Sequence, residues 1–375
     1  MITQAIRSIY KINLGIRPQE RVLVFTDRPS PPEVLQNNEC CRRERLRDLA
    51  LLFAEVGRSF TKKILYHEYA ATGAHGAEPP EEVWRLAFGE RAVAALKTAK
   101  LLKLLLGKKL SPEGIEKAGV IIARYRRSAA HVVIALANYS TSHTKFRELL
   151  TGRCGARYAS MPLFEIGMLE GSMNVDWKAL AKRTKTVAAM LNSADSVEIT
   201  APNGTALALS KKGRQALADT GMLTMPGAFG NLPAGEAFLA PLEGTAEGKL
   251  VLDWAPTHEL SSPVTLVIKN GMVQDITGDD PFAETLRIRL NEREENRTIA
   301  ELGIGTNGRA RRPDNILESE KILGTIHIAL GDNSTFGGTV KAPFHQDFVF
   351  FKPTVVLRTK ENNRVVLLNE GKLLL

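Results

Sequence analysis

The sequence predicts an α/β chain in two parts: an N-terminal α/β domain on a parallel sheet, residues 1–192, then a β-rich α+β domain, residues 193–375, that carries a metal site. Three observations predict it. Apolar runs of strand length alternate with helix-length segments in the first part. After Ser193, short β-like runs follow one another, separated by Gly, Pro and Asn turns. In the last quarter, His327, His345 and Asp347 stand in two such runs.

In the first part, Arg21-Val-Leu-Val-Phe-Thr26 reads as a buried strand, Leu46 to Val56 has helical spacing, and Lys63-Ile-Leu-Tyr66 is a second strand. Pro80-Glu-Glu opens a helix, with proline and acids where free backbone N–H groups favour them. His131 to Leu136 and Arg157 to Met161 give two further strands. Thr141-Ser-His-Thr144 reads as a helix cap, with an anion-binding helix start as the other reading. Asp176 begins a long helix. Strands alternating with helices in this way imply a parallel sheet covered on both faces.

The second part shows Ser196-Val-Glu-Ile-Thr200, Leu207 to Ser210, Lys249 to Asp253 and Val264 to Ile268 as strands, with one helix at about Pro281 to Asn291. Thr298 to Leu302 alternates like a strand and runs into Gly303-Ile-Gly-Thr-Asn-Gly308, read as a tight turn. That segment has neither the spacing of a dinucleotide loop nor a phosphate-binding lysine.

The net charge of +9 is concentrated in residues 1–150, which carry 25 Lys and Arg against 15 Asp and Glu; the rest carries 25 against 26. The basic residues alternate with acids on helix faces, as in Cys41-Arg-Arg-Glu-Arg-Leu-Arg-Asp48, and no nucleic-acid-binding motif accompanies them. No nucleic-acid partner is expected. With no long apolar run, no leader-like start and three cysteines that suit neither a disulfide framework nor a thiolate metal site, the expectation is a cytoplasmic chain with no membrane partner.

His345 and Asp347 are two residues apart, so on a strand they project from one face about 7 Å apart, close enough to share an ion. His327 lies in an equally apolar run. Imidazole and carboxylate without thiolate is the donor chemistry of a catalytic metal centre. Glu301 and Glu236 stand among apolar neighbours, where an unpaired carboxylate is costly to bury.

These residues resemble the thermophilic metalloaminopeptidase family of aminopeptidase T, aminopeptidase S and PepS. The resemblance rests on Asn231-Leu-Pro-Ala-Gly-Glu236, Ala300-Glu-Leu-Gly-Ile-Gly-Thr-Asn307, His327-Ile-Ala-Leu-Gly331 and His345-Gln-Asp347. It implies a homodimeric enzyme that removes N-terminal residues from peptides through two divalent ions, Zn, Co or Mn, held by Glu236, Glu301, Glu320, His327, His345 and Asp347. Glu301 would bridge the ions and Glu320 would ligate or act as general base, with Glu318 as the competing choice for the latter position. One departure stands out: the family has a tyrosine seven residues after the first histidine, where this chain has Ser334. The sequence is also similar to 2,5-dihydroxypyridine dioxygenase, whose single Fe(II) sits on two histidines and an aspartate, a pattern met by His327, His345 and Asp347. A third alternative is a family member without peptidase activity.

Overall fold

A computed structural model of the protein describes residues 2–30, 33, 37–359, 361 and 363–375. It has the two-part α/β architecture that the patterning predicts: one compact unit is formed by residues 1–174 and 221–233, the other by residues 175–220 and 234–375.

The first unit supplies strands β1 (Val22–Arg28), β2 (Ile64–Ala70), β3 (Val132–Ala135) and β4 (Arg157–Ser160). The chain then lays down β5 (Ala194–Thr200), β6 (Ala206–Ser210) and β7 (Leu217–Asp219) in the second unit and returns to the first for β8 (Phe229–Asn231). It continues in the second with β9 (Glu236–Leu239), β10 (Glu247–Ala255), β11 (His258–Lys269), β12 (Met272–Thr277), β13 (Ile299–Gly305), β14 (Ile326–Gly331), β15 (His345–Phe350), β16 (Thr354–Thr359), β17 (Arg364–Asn369) and β18 (Lys372–Leu373).

In the first unit all strand pairs are parallel, in the order β2-β1-β3-β4-β8. The run Val22 to Phe25 is wholly buried, as a strand covered by helices on both faces requires. One side packs on Phe25, Trp84, Phe88, Phe146 and Tyr158, whose rings meet mostly edge to face. Thr144 caps the helix Lys145–Cys154, its side chain accepting from the N–H of Arg147, so the Thr141 to Thr144 cluster is a helix cap.

The second unit holds two antiparallel sheets, ordered β12-β11-β10-β6-β5-β16-β17-β18 and β15-β14-β13-β9-β7. Strand alternation sends Ala237, Leu239, Leu302, Ile304, Ile326, Ile328, Leu330, Phe348 and Phe350 of the five-stranded sheet into one core with Val197, Leu250, Leu252, Leu266 and Ile268 of the other. Each such fully buried side chain contributes roughly 1.5–3 kcal/mol, which fixes the register. A one-residue slip would turn the whole set outward. Helix Trp177–Asn192, capped by Asp176, also packs on this core through Val187 and Leu191. Among the described residues no helix is long and apolar enough to cross a membrane.

Candidate metal centre

Because every second side chain of the five-stranded sheet faces the core, the residues between them collect on its other face. They are Glu236 on β9, Glu301, Gly303 and Gly305 on β13, His327, Ala329 and Gly331 on β14, and His345 and Asp347 on β15. Functional and small residues are paired across the strands: Gly303 with His327, Gly305 with Glu236, Gly331 with His345, and Ala329 between Glu301 and Asp347. At Gly303 the missing side chain leaves the room into which the ring of His327 leans. The expected turn at Gly303 is thereby corrected. Gly303 and Gly305 continue β13, and a Cβ on Gly305 would lie 2.0 Å from the carbonyl oxygen of Ile322.

Single ligand atoms of Glu301, His345 and Asp347 all lie within 4.8 Å of one another. Nε2 of His345 is 3.5 Å from Oε2 of Glu301 and 3.5 Å from Oδ2 of Asp347. Its Nδ1 is 2.7 Å from the carbonyl oxygen of Asp332, which can only accept, so Nδ1 carries a hydrogen and Nε2, once it gives up its own proton, is the nitrogen turned to the carboxylates. Donor atoms about 2.1 Å from one small ion in adjacent positions are separated by roughly 3–3.5 Å. Both distances to His345 match that spacing, and Glu301 takes the place beside His345 and Asp347 that the two-histidine pattern gave to His327.

His327 is buried beside the trio, with Nε2 3.3 Å from Oε1 of Glu301 and 3.5 Å from Oε2 of Glu236. Its Nδ1 and Oε2 of Glu236 make no hydrogen bond among the described residues. Buried polar atoms in that state call for a partner such as water or an ion.

Without an ion, the charges of the site bias one another. Burial opposes protonation of His345, yet Asp347, Glu301 and the Asp332 carbonyl raise it to about 10. Burial likewise opposes protonation of His327, and Glu301, Glu236 and Glu320 raise it to about 9. Burial pushes the Asp347 carboxyl up, but His345, His327 and Lys321 hold it below the usual range. Glu301 is raised by burial and by Asp347, against the pull of the two histidines.

Glu236 and Glu320 meet a partner that sequence reasoning missed. Lys321 is fully buried, and its Nζ donates to Oε1 of Glu236 at 2.9 Å and to Oε2 of Glu320 at 2.6 Å. Burial alone would lower its ammonium; Glu236, Glu320 and Asp219 raise it. Glu320, raised to about 8 by burial with Lys321 opposing, is thus turned to a lysine. Glu318 instead accepts from the backbone N–H of Arg311. Ser334 is exposed and bonds the carboxylate of Asp332. A second overlooked group is Phe336, whose ring stands edge-on to His345 at 5.9 Å and to Phe238 at 5.7 Å. The cue for Lys321 was the surplus of buried carboxylates around one face; Phe336 left none.

Residues 172–373 match the 2,5-dihydroxypyridine 5,6-dioxygenase (NicX) family, and the chain belongs to it. Among solved structures, it is similar to 2,5-dihydroxypyridine dioxygenase from Pseudomonas putida KT2440, with a TM-score of 0.69 and 18% identity over the whole of this chain and 96% of that one. It is also similar to wild-type AmpT from Thermus thermophilus, with a TM-score of 0.57 and 14% identity over the whole of this chain and 99% of that one. At these identities both likenesses show the fold alone. None of the curated proteins matches the chain.

The family overturns the aminopeptidase expectation, and with it the peptide substrate and the hydrolase and protease assignments. The likeness to AmpT reaches the fold and no further. The local chemistry agrees with the correction: two of the acids expected around a pair of ions are bound to Lys321, and the tyrosine position is an exposed serine. Metal binding itself stands. A dioxygenase family implies a metal cofactor, and the trio of Glu301, His345 and Asp347 is a donor set for a hard divalent ion.

Proposed function

We propose that this chain is a ring-cleaving dioxygenase that uses a single non-haem Fe(II) and acts on a hydroxylated nitrogen heteroaromatic such as a dihydroxypyridine. The observation that carries the proposal is the Glu301–His345–Asp347 trio on one sheet face, within a chain of this family. When bound, the ion would offer open positions to a substrate hydroxyl oxygen and to O₂ and would supply the one-electron chemistry that O₂ requires.

The chain's own residues do the positioning. Asp332 fixes the tautomer of His345 through its carbonyl, so that Nε2 is the lone-pair nitrogen facing the carboxylates. Glu301 turns Oε2 toward His345 and Oε1 toward Nε2 of His327, so that His327 holds the carboxylate plane. Two carboxylates and one imidazole balance a divalent ion with no net charge left over, which also suits Mn(II). Phe336 and Phe238, edge to face beside His345, form an apolar wall suited to a flat ring. In the overall change one C–C bond of the ring breaks, each of its two carbons gains one oxygen atom of O₂, and no further reductant is consumed.

The test is anaerobic loading of the chelator-treated protein with Fe(II), followed by O₂ uptake with 2,5-dihydroxypyridine. One O₂ consumed per ring lost, with His345→Ala and Glu301→Gln falling to background, is the expected result. An Fe(II)-loaded protein that consumes no O₂ with any hydroxylated pyridine, or activity that survives His345→Ala, overturns it.

A further inference from the structure

The sheet face carries more acid than one ion can use. Beside the trio lies a second donor group, Glu236, Glu320 and His327, and between its two carboxylates sits the ammonium of Lys321, 2.9 Å from one and 2.6 Å from the other. Lys321 has no exposed surface, so its charge cannot be shared with solvent. Glu236 is 7% exposed; its Oε1 takes the lysine, while its Oε2, 3.5 Å from Nε2 of His327, makes no hydrogen bond. Two carboxylates around a small cationic centre, one of them also facing an imidazole, make a donor group of the kind that holds a divalent ion. Lysine suits the place because its ammonium is a compact point charge with three donors, unlike the broad guanidinium of arginine.

We infer that Lys321 is a built-in second cation: it fills, with a tethered ammonium, the place beside Glu236, Glu320 and His327 that a second divalent ion would otherwise take, and so sets the centre at one ion per chain. The inference rests on the single-ion reading above and deepens it. A paired-ion centre activates a bridging hydroxide for hydrolysis, whereas an ammonium has no open coordination position and can neither ligate nor activate water. Lys321 is in this account a positioning residue. Its charge holds Glu236 and Glu320 away from the trio and leaves one ion with unshared open positions for a ring and O₂.

The test counts Mn(II) bound to chelator-treated full-length protein by equilibrium dialysis, with folding followed by circular dichroism. Wild type is expected to bind one Mn(II), Lys321→Met two, and the charge-balanced variant Lys321→Met/Glu236→Gln/Glu320→Gln one. A Lys321→Met protein that folds only when Mn(II) is present and then holds two ions gives the same support, since the cation has moved from side chain to solution. The inference is overturned by a folded Lys321→Met that binds no more Mn(II) than wild type or by wild type that already binds two. It is likewise overturned by Lys321→Met that stays unfolded in saturating Mn(II) while the charge-balanced variant folds. Failure of the dioxygenase reading is separable: a trio that binds nothing gives zero for wild type and one for Lys321→Met, and the increment of one remains.

Discussion

Gly303 lies directly under the imidazole of His327, so close that a Cβ at position 303 would sit 2.0 Å from both Cε1 and Nε2 of the ring. The two residues are cross-strand partners on β13 and β14, and the missing side chain of one is the resting place of the other. Gly303→Ala should therefore displace the ring and, with it, the carboxylate of Glu301 that His327 contacts. Overpacking of this kind costs about 1–3 kcal/mol, against a gain of about 0.4–1 kcal/mol from stiffening the unfolded chain. The expected outcome is a net loss of stability in urea unfolding, together with weaker Mn(II) binding. A variant equal to wild type in both measurements shows that the ring has room the packing denies it.

The same pair shows why the sequence was only partly readable. Strands β1 to β6, β10 and β11, the helix Pro281–Asn291 and the placement of His345 and Asp347 on one face follow from local periodicity, which needs no knowledge of partners. Gly303 and Gly305 read as a turn because glycine usually breaks strands; only the pairing with His327 and the approach of Ile322 explain why strand β13 keeps them. Lys321 gives no local signal, because lysine is seldom buried unpaired and its partner Glu236 lies 85 positions away in the chain. The order of acids and histidines therefore pointed to a two-ion hydrolase. A sequence pattern of ligands records where carboxylates stand and does not tell a metal ion from an ammonium.

Stability of the metal-free protein should fall as pH rises above neutrality. His345 and His327 are raised to about 10 and about 9, from an ordinary value of 6.5. Between 6.5 and these values the folded chain keeps protons that the unfolded chain has released, so their stabilising contribution is complete below pH 6.5 and is lost as pH climbs through 9 and 10. An ion bound at Nε2 of His345 replaces that proton, so the loaded protein should show a shallower fall and should release protons on uptake. Urea unfolding at pH 7 and pH 9.5, with and without Mn(II), checks this. Parallel losses in the two forms would mean that His345 is not where the ion binds.

Glu78 gives an independent test in the first unit, remote in sequence from the metal ligands. Its carboxylate is 7% exposed and accepts from the backbone N–H groups of Lys145, at 2.5 Å, and Phe146, at 3.0 Å, at the start of the helix Lys145–Cys154. Burial raises it from 4.5 to about 6, more than those two hydrogen bonds lower it. The sign is the reverse of the usual carboxylate. Between pH 4.5 and 6 the folded chain binds the proton more tightly than the unfolded chain, so this group's contribution is complete below pH 4.5 and is lost as pH rises through 6. A displacement of this size corresponds to about 2 kcal/mol. Glu78→Gln cannot titrate, although it gives up one acceptor at the helix start and so carries its own fixed cost. The informative quantity is the stability difference between variant and wild type measured by urea unfolding at pH 4.5 and at pH 7. It should move by about 2 kcal/mol in favour of the variant over that interval, and a difference that stays constant would show that Glu78 is ionised in the folded chain as readily as in the unfolded one.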